Sequence, residues 1–162
     1  MDECPEHELR LVPVDRLPRL VGAGLGRVSF FVDPRHGRGG VLIGASLVIV
    51  GFMLPLVESR GFVASALEVA IDGAANLWLT PGAAIAQLWI LWSRRAAAPM
   101  RAARAAVFGL AIGAGLPLLY TTRRIATMAD VYAANANWLA GLWIMVAGLS
   151  LAALSSSRLG AQ

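Results

Sequence analysis

Two groups of side chains in this sequence have the residue types that bind metal ions. Cys4 and His7 have the spacing of half a zinc site. A structural zinc ion takes about four ligands, whereas the chain contains one further histidine, His36, and no second cysteine. We therefore interpret this segment as an acidic tail, and expect a zinc site only if a partner chain supplies the remaining ligands.

The second group consists of the carboxylates Glu68, Asp72 and Asp130. Glu68 and Asp72 lie about one helical turn apart, and Asp130 takes the matching place in a second, similar segment. Carboxylate oxygens bind hard divalent cations. A solvated helix face has the same pattern, however, and is the interpretation we favour. The sequence alone leaves open whether these residues bind a cation.

Other chemistry is sparse. The glycine-rich run 22–26 lacks the spacing of a phosphate-binding loop and the Lys-Ser/Thr pair that follows one. The long apolar runs contain no Asp, Glu, Lys, Arg or His, and their strongest polar group is Gln87. Ion pathways, proton relays and haem sites usually need such residues. We predict no catalytic residue, no metal site and no cofactor.

The composition is that of a membrane protein. Hydrophobic residues make up 57% of the 162 residues and charged residues 15%, against about 45–50% and about 25% in soluble domains. The sequence pI of about 10.5 could suggest a nucleic-acid partner. The arginines, however, flank apolar runs, where the positive-inside rule already explains them. We therefore expect a lipid bilayer as the surroundings and no nucleic acid.

Four apolar runs predict an all-α integral membrane protein with four transmembrane helices. The runs are 41–57, 77–93, 105–120 and 138–154, at the short end of the roughly 17–25 residues that cross a bilayer. They form two hairpins, 41–93 and 105–154. The remaining segments are a cytoplasmic tail with an interfacial stretch (1–40), a basic cytoplasmic loop (94–104) and a C-terminal tail (155–162).

Arginine counts set the predicted orientation. Eleven arginines fall on the side of the termini and of the 94–104 loop, and three fall on the other side. Both termini should therefore be cytoplasmic, in a bacterial inner membrane. Arg94, Arg95, Arg101 and Arg104 in the basic loop are candidates for contact with anionic lipid, at about 1 kcal/mol per charge. Setting the topology explains the same charges, and the two roles are compatible.

A proline follows a glycine by four residues at two places, Gly51–Pro55 and Gly113–Pro117. Proline removes one helical hydrogen bond and crowds the carbonyl four residues back. We interpret both copies as kinks at the outer end of a span that form exit corners, each leading into a short surface helix, 62–74 and 125–136. The two copies align at an offset of 62 residues with several identities, which suggests a duplicated hairpin and parallel repeats.

Small residues mark the predicted helix contacts. Gly40 and Gly44 are spaced by four residues, as are Gly109 and Gly113. This spacing lets transmembrane helices approach closely. Gly82, Ala86, Gly141 and Gly148 extend the theme to the other two spans. We expect these residues to pack the bundle.

The stretch 41–93 also resembles a known group of proteins. Its features are the run Phe52-Met53-Leu54-Pro55-Leu56, the outer loop with Gly61 and Glu68, and the run 77–81 that opens the second span. They resemble small, largely uncharacterised bacterial four-span membrane proteins with a Leu-Pro-Trp at the span exit, where this chain has Leu56. The resemblance implies the four-span fold and no particular activity.

Three functions fit these observations. The first is a non-catalytic accessory or assembly subunit of a larger membrane complex, with other membrane subunits or a second copy of itself as partner. The alternative is a small transporter or channel built from two parallel hairpins. The third, and the least favoured, is a membrane enzyme or lipid-handling protein that uses the outer carboxylates.

Overall fold

Four long helices form a bundle with a small sheet at one end. The computed structural model describes residues 37–94, 97–132 and 135–159, with all their side chains except those of residues 97–100. In chain order the elements are α1 (Arg38–Met53), β1 (Pro55–Ser59), β2 (Phe62–Ser65), α2 (Ala66–Ile71), a 3₁₀ turn (Ala75–Trp78), α3 (Leu79–Ser93), α4 (Ala97–Val131), β3 (Asn137–Trp138) and α5 (Ala140–Ser156). The predicted helical fold is confirmed.

The long helices alternate in direction around a closed ring. α1 packs against α5 and α3, and α4 packs against the same two helices. Side-chain bonds to backbone carbonyls fix the antiparallel pairing, because they join the start of one helix to the end of its neighbour. The Arg38 guanidinium donates to the Leu91 carbonyl over 2.5 Å, and the Arg104 guanidinium donates to the Leu159 carbonyl over 2.5 Å. We call this end of the bundle the arginine end, and the opposite end the sheet end.

The interior of the bundle is filled with side chains. At the arginine end Val41, Leu91 and Val107 are buried together, and at the sheet end Phe52 and Met145 belong to a larger cluster. Further members of that cluster are Leu56, Leu77, Leu118 and Leu142. The central layer is formed by small residues, Ala45, Val48 and Ala84. Burial of these side chains holds the four helices together.

The sheet was not predicted. Its order is β2-β1-β3, and both pairs are antiparallel. Arg60 and Gly61 form the two-residue turn between β1 and β2, with φ values of 52° and 79°. A tight hairpin turn of this kind favours positive φ at both central residues. β3 then connects α4 to α5 beside β1, so the sheet ties the two halves of the chain together.

The Gly51–Pro55 motif is not a helix kink. Proline restricts the residue before it to extended backbone, and Leu54 has φ −82° and ψ 158°. α1 therefore ends at Met53, and Pro55 begins β1. Pro117, in contrast, lies inside α4 and is buried. The prediction of a kink was wrong for the first copy, although the chain leaves the helix there as an exit corner requires. The prediction of an exit corner was wrong for the second copy, because α4 continues past Pro117 to Val131.

The two copies of the motif also lead into different structures. Residues 55–65 form a β-hairpin, whereas the residues 62 positions later, 117–127, are helical. The predicted surface helix 62–74 is reduced to the six residues of α2, and the predicted surface helix 125–136 is the continuation of α4 to Val131. The predicted basic loop 94–104 is helical from Ala97. The described structure therefore lacks the predicted repeat.

Helix length bears on membrane crossing. Within the described residues, one helical stretch, Arg101–Val131, is long and apolar enough to span a bilayer, and an 18-residue window within it has a mean hydropathy of 1.7. α1 and α5 are apolar but have 16 and 17 residues. α3 has 15 residues, preceded by the 3₁₀ turn. Helix length thus supports one span and does not support four.

Candidate functional site

The α1–α5 seam is made of glycines that touch the opposing backbone. A Cβ atom on Gly44 would lie 2.6 Å from the Gly148 carbonyl oxygen, and one on Gly148 would lie 2.6 Å from the Gly44 carbonyl oxygen. Gly51 and Gly141 form a similar pair nearer the sheet end, at 3.0 and 2.9 Å. Only glycine allows two helices this close. Gly51, predicted to make room for a kink, instead makes room for α5.

The same seam continues at the arginine end. A Cβ on Gly40 would lie 2.0 Å from the Ser155 hydroxyl oxygen. Gly37 precedes α1 with φ +67° and lies against the backbone of Ser155 and Arg158. The glycines of α1 therefore lie opposite small residues of α5 along almost the whole length of α1.

Gly109 and Gly113, predicted to pack the bundle, do not lie at a contact between the described helices of the bundle. A Cβ on either would meet nothing within 4 Å, and the same holds for Gly82 on α3. Together with Ala86 and Ala106 they line an open groove between α3 and α4 with a volume of about 700 Å³. We call it the α3–α4 groove. Its remaining lining is Trp78, Leu79, Ala83 and Leu110, so it carries no charge.

Polar groups inside the bundle are paired with backbone carbonyls. The Thr80 hydroxyl donates to the Ala114 carbonyl over 2.9 Å, and the Gln87 amide donates to the Val107 carbonyl over 3.2 Å. Both bonds join α3 to α4 and both side chains are buried. Gln87 therefore makes a hydrogen bond between α3 and α4 in this structure.

The arginines of the predicted lipid-contact group lie at the arginine end. Arg94 follows α3 and is exposed, and Arg101 is exposed in the first turns of α4. Arg104 is half-buried through its bond to the Leu159 carbonyl. Arg95 lies outside the described residues. Their contact with anionic lipid stays a prediction.

A pocket opens at the sheet end, between the sheet, α2 and the last turns of α4. Its volume is about 570 Å³. We call it the sheet-end pocket. Its apolar wall comes from Val57, Val69, Ile125, Met128 and Ala129. Its polar lining includes Ser59, Arg60, Asp72, Thr121, Arg124 and Tyr132.

The Thr121 hydroxyl is the one buried side-chain oxygen or nitrogen without a hydrogen-bond partner in the described part of the chain. Its neighbours behave differently. The hydroxyls of Thr122 and Thr127 donate to carbonyls of their own helix, those of Leu119 and Arg123, over 3.0 and 2.9 Å. A buried hydroxyl without a partner lowers the stability of the fold by about 1–3 kcal/mol. Thr121 is therefore an unsatisfied polar residue in the lining of the sheet-end pocket.

The two arginines of the sheet-end pocket, Arg60 and Arg124, differ in their hydrogen bonding. Arg60 donates to the Tyr132 carbonyl over 2.5 Å, which fixes the hairpin turn against the end of α4. Arg124 is exposed, and none of the described residues is bonded to its side chain. Asp72 is the single carboxylate of the lining. The pocket therefore combines an apolar wall with an excess of positive charge.

The carboxylates do not assemble into a metal site. Among the described residues there is no group of three or more His, Cys, Asp or Glu side chains that could hold a metal ion. Glu68 accepts hydrogen bonds from the backbone N–H and the hydroxyl of Ser65, at 2.6 and 2.9 Å. These bonds cap α2 and lower the pKa of Glu68. Cys4, His7, His36 and the run 22–26 lie outside the described residues.

Sequence reasoning missed the sheet-end pocket. One local signal was present, since Ser65 and Glu68 have the spacing of a capping box and mark the start of a helix. Neither residue lines the pocket, and the residues that do come from several separate elements and share no motif. No protein-family model, no curated protein and no solved structure matches this chain.

Proposed function

We propose that the protein is a non-catalytic, multi-pass membrane protein that acts as an accessory or assembly subunit by packing a membrane-spanning helix of another protein into the α3–α4 groove. The observation that carries this proposal is the pair of small-residue rows, Gly82 with Ala86 and Gly109 with Gly113, that face outward. The same spacing on α1, Gly40 with Gly44, is used for contact with α5 within the bundle.

The outward faces of all four long helices favour a bilayer as the surroundings. Large apolar side chains exposed there are Ile43, Val50, Ile85, Trp89, Phe108, Ile112, Leu116, Trp143 and Leu154. Large exposed apolar surfaces mark contacts with a membrane or with another protein. α1 and α5 are short, at about 24–26 Å by the helical rise, and local thinning of the membrane accommodates short spans at modest cost.

The arginine end fits the cytoplasmic side. Arg38, Arg94, Arg101, Arg104 and Arg158 lie there, and the sheet end has Arg60, Arg123 and Arg124. This bias sets orientation by the positive-inside rule. A reporter fused after Gln162 should be active in the cytoplasm, and one inserted at the exposed Gly73 should be active only outside it. Cytoplasmic activity at Gly73 would contradict the multi-pass arrangement.

Small outward residues favour a helix over lipid as the occupant of the groove. Lipid chains adapt to any apolar surface, whereas two helices pack tightly only where small side chains let backbones approach. Gly109→Leu fills the groove from a position that no side chain of the described structure covers. Ala147→Leu enlarges an exposed small residue on α5 and serves as the matched control.

The test is purification in mild detergent with quantitative mass spectrometry. A membrane protein should co-purify in stoichiometric amount with wild type and with Ala147→Leu. Its recovery should fall roughly five-fold or more with Gly109→Leu, since overpacking costs about 1–3 kcal/mol. Equal recovery with both variants refutes the groove as the interface. A Gly109→Cys variant on a Cys4→Ser background would form disulfide dimers if a second copy occupied the groove, which would refute a separate partner.

The transporter alternative depended on two equivalent hairpins. Residues 55–65 and 117–127 fold differently, and the described bundle interior is filled by side chains such as Phe52, Leu91 and Val107. No observation on the described residues favours transport over helix packing, so we do not propose it.

A further inference from the structure

The sheet-end pocket has two features that select a ligand with two chemically different ends. The Val57, Ile125 and Met128 side chains offer an apolar wall, and Met128 is 48% exposed toward solvent. Arg60 and Arg124 outnumber the single carboxylate of Asp72. An apolar wall buries hydrocarbon, and guanidinium groups bind carboxylate or phosphate through paired N–H donors.

The arrangement of the charged groups supports an anionic end. Arg60 is held in place by its bond to the Tyr132 carbonyl, so little side-chain freedom remains to be lost when an anion binds. Arg124 projects from α4 one turn before Met128 and is exposed. The buried Thr121 hydroxyl lacks an acceptor, and Thr121 lies about one turn before Arg124 on the same helix face of the lining. An oxygen-rich head group supplies acceptors to both guanidinium groups.

The position of the pocket supports an apolar tail. α4 has 35 residues, about 52 Å by the helical rise, so its last turns extend well beyond a hydrocarbon layer of about 30 Å. The sheet-end pocket lies against these turns, where an interfacial molecule can enter with its chain along α4. The volume of about 570 Å³ is within the usual range of small-ligand pockets, about 300–1,000 Å³.

We propose that the sheet-end pocket binds a single-chain anionic amphiphile, with its carboxylate or phosphate head at Arg60 and Arg124 and its acyl chain against Val57, Ile125 and Met128. A free fatty acid and a phosphate-headed lipid offer the same chemistry, and the test separates them. This inference uses the membrane location of the proposed function but not the partner helix, so Gly109→Leu should leave ligand binding unchanged.

The test measures binding to the full chain in detergent micelles by titration calorimetry, with stoichiometry from native mass spectrometry. The probes are dodecanoate, dodecyl phosphate, dodecanol and inorganic phosphate. One molecule of dodecanoate or dodecyl phosphate should bind per chain, and the tighter of the two identifies the head group. Dodecanol should bind roughly ten-fold more weakly, the size expected for loss of a charge-assisted bond. Inorganic phosphate binding as tightly as dodecyl phosphate would refute the apolar part of the site.

Variants on α4 provide matched controls. Arg124→Gln should weaken dodecanoate binding about ten-fold by the same argument. Arg123→Gln removes the neighbouring exposed arginine, which does not line the pocket, and should leave binding unchanged. Ala129→Trp should block the pocket, and Ala129→Leu replaces it if circular dichroism shows that the tryptophan variant is unfolded. Equal effects of Arg123→Gln and Arg124→Gln, or unchanged binding to a folded Ala129 variant, would overturn the proposal.

Discussion

Replacing Gly44 by alanine measures how closely α1 and α5 approach. The new methyl group would lie 2.6 Å from the Gly148 carbonyl oxygen and 2.8 Å from the Ala152 backbone nitrogen. Both atoms belong to the α5 backbone, so no side-chain rotation relieves the overlap. The helices would have to separate by roughly 1 Å to restore contact at about 3.5 Å. We expect Gly44→Ala to destabilise the fold by about 1–3 kcal/mol, as overpacking usually does.

Gly109→Ala is the matched control. Both glycines lie inside long helices, but a Cβ on Gly109 meets nothing within 4 Å. Alanine is about 1 kcal/mol better than glycine within a helix, and both variants gain this term. The difference between them therefore isolates the steric cost at the seam. Gly109→Ala alone should stabilise the fold by up to about 1 kcal/mol.

Reversible unfolding by SDS in mixed micelles, monitored by circular dichroism, gives both free energies. Gly148→Ala should repeat the loss, because its methyl group would lie 2.6 Å from the Gly44 carbonyl oxygen. If Gly44→Ala and Gly109→Ala unfold at the same SDS fraction, the glycine contact does not exist in the protein and the assignment of the seam is refuted.

Two further predictions concern buried and exposed polar groups. In ligand-free protein, Thr121→Val should raise the unfolding free energy by about 1 kcal/mol, because it removes an unpartnered hydroxyl. Thr80→Val should lower it by about 0.5–1.5 kcal/mol, because the bond to the Ala114 carbonyl is lost. Equal shifts of the two variants in the SDS assay would contradict this. Glu68 has a lowered pKa because Ser65 hydrogen-bonds its carboxylate, so its stabilisation of α2 is complete above the ordinary glutamate pKa and is lost as pH falls through the lowered value. At acid pH, amide exchange of residues 66–71 in the wild-type protein should accelerate relative to exchange of the same amides in Glu68→Gln. If the ratio of the wild-type rate to the Glu68→Gln rate stays constant across pH, the cap does not titrate.

Apolar runs predicted the helices because their signal is local. Runs 41–57, 77–93 and 138–154 correspond to α1, α3 and α5 with ends shifted by a few residues. The run 105–120 and the amphipathic stretch 125–136 each predicted a helix, and α4 contains the first and the part of the second up to Val131. The polar residues between these two stretches, Thr121 to Arg124, suggest the end of a span. No glycine or proline breaks the helix there, however, and the two stretches form one continuous helix up to Val131.

The sheet and the pocket depend on contacts that local patterns do not contain. The helical period predicts one surface helix over 62–74, whereas residues 62–65 form β2 and the capping box at Ser65 places the helix start after it. β1 exists because β3, about eighty residues later, satisfies its other edge. The Thr121 hydroxyl becomes an unpartnered donor only when α4 packs beside the sheet, so no spacing in the sequence marks it.

The two Gly-x-x-x-Pro motifs fold differently because the residues after the two prolines differ. After Pro55 the chain meets Arg60-Gly61, whose positive φ values turn it back as a hairpin, and β1 finds hydrogen-bond partners on both edges. After Pro117 no glycine or proline occurs before Val131, so the helix continues through the one missing N–H donor, as transmembrane helices tolerate. The motif therefore permits a helix end without requiring one, and sequence identity between the copies does not imply structural repetition.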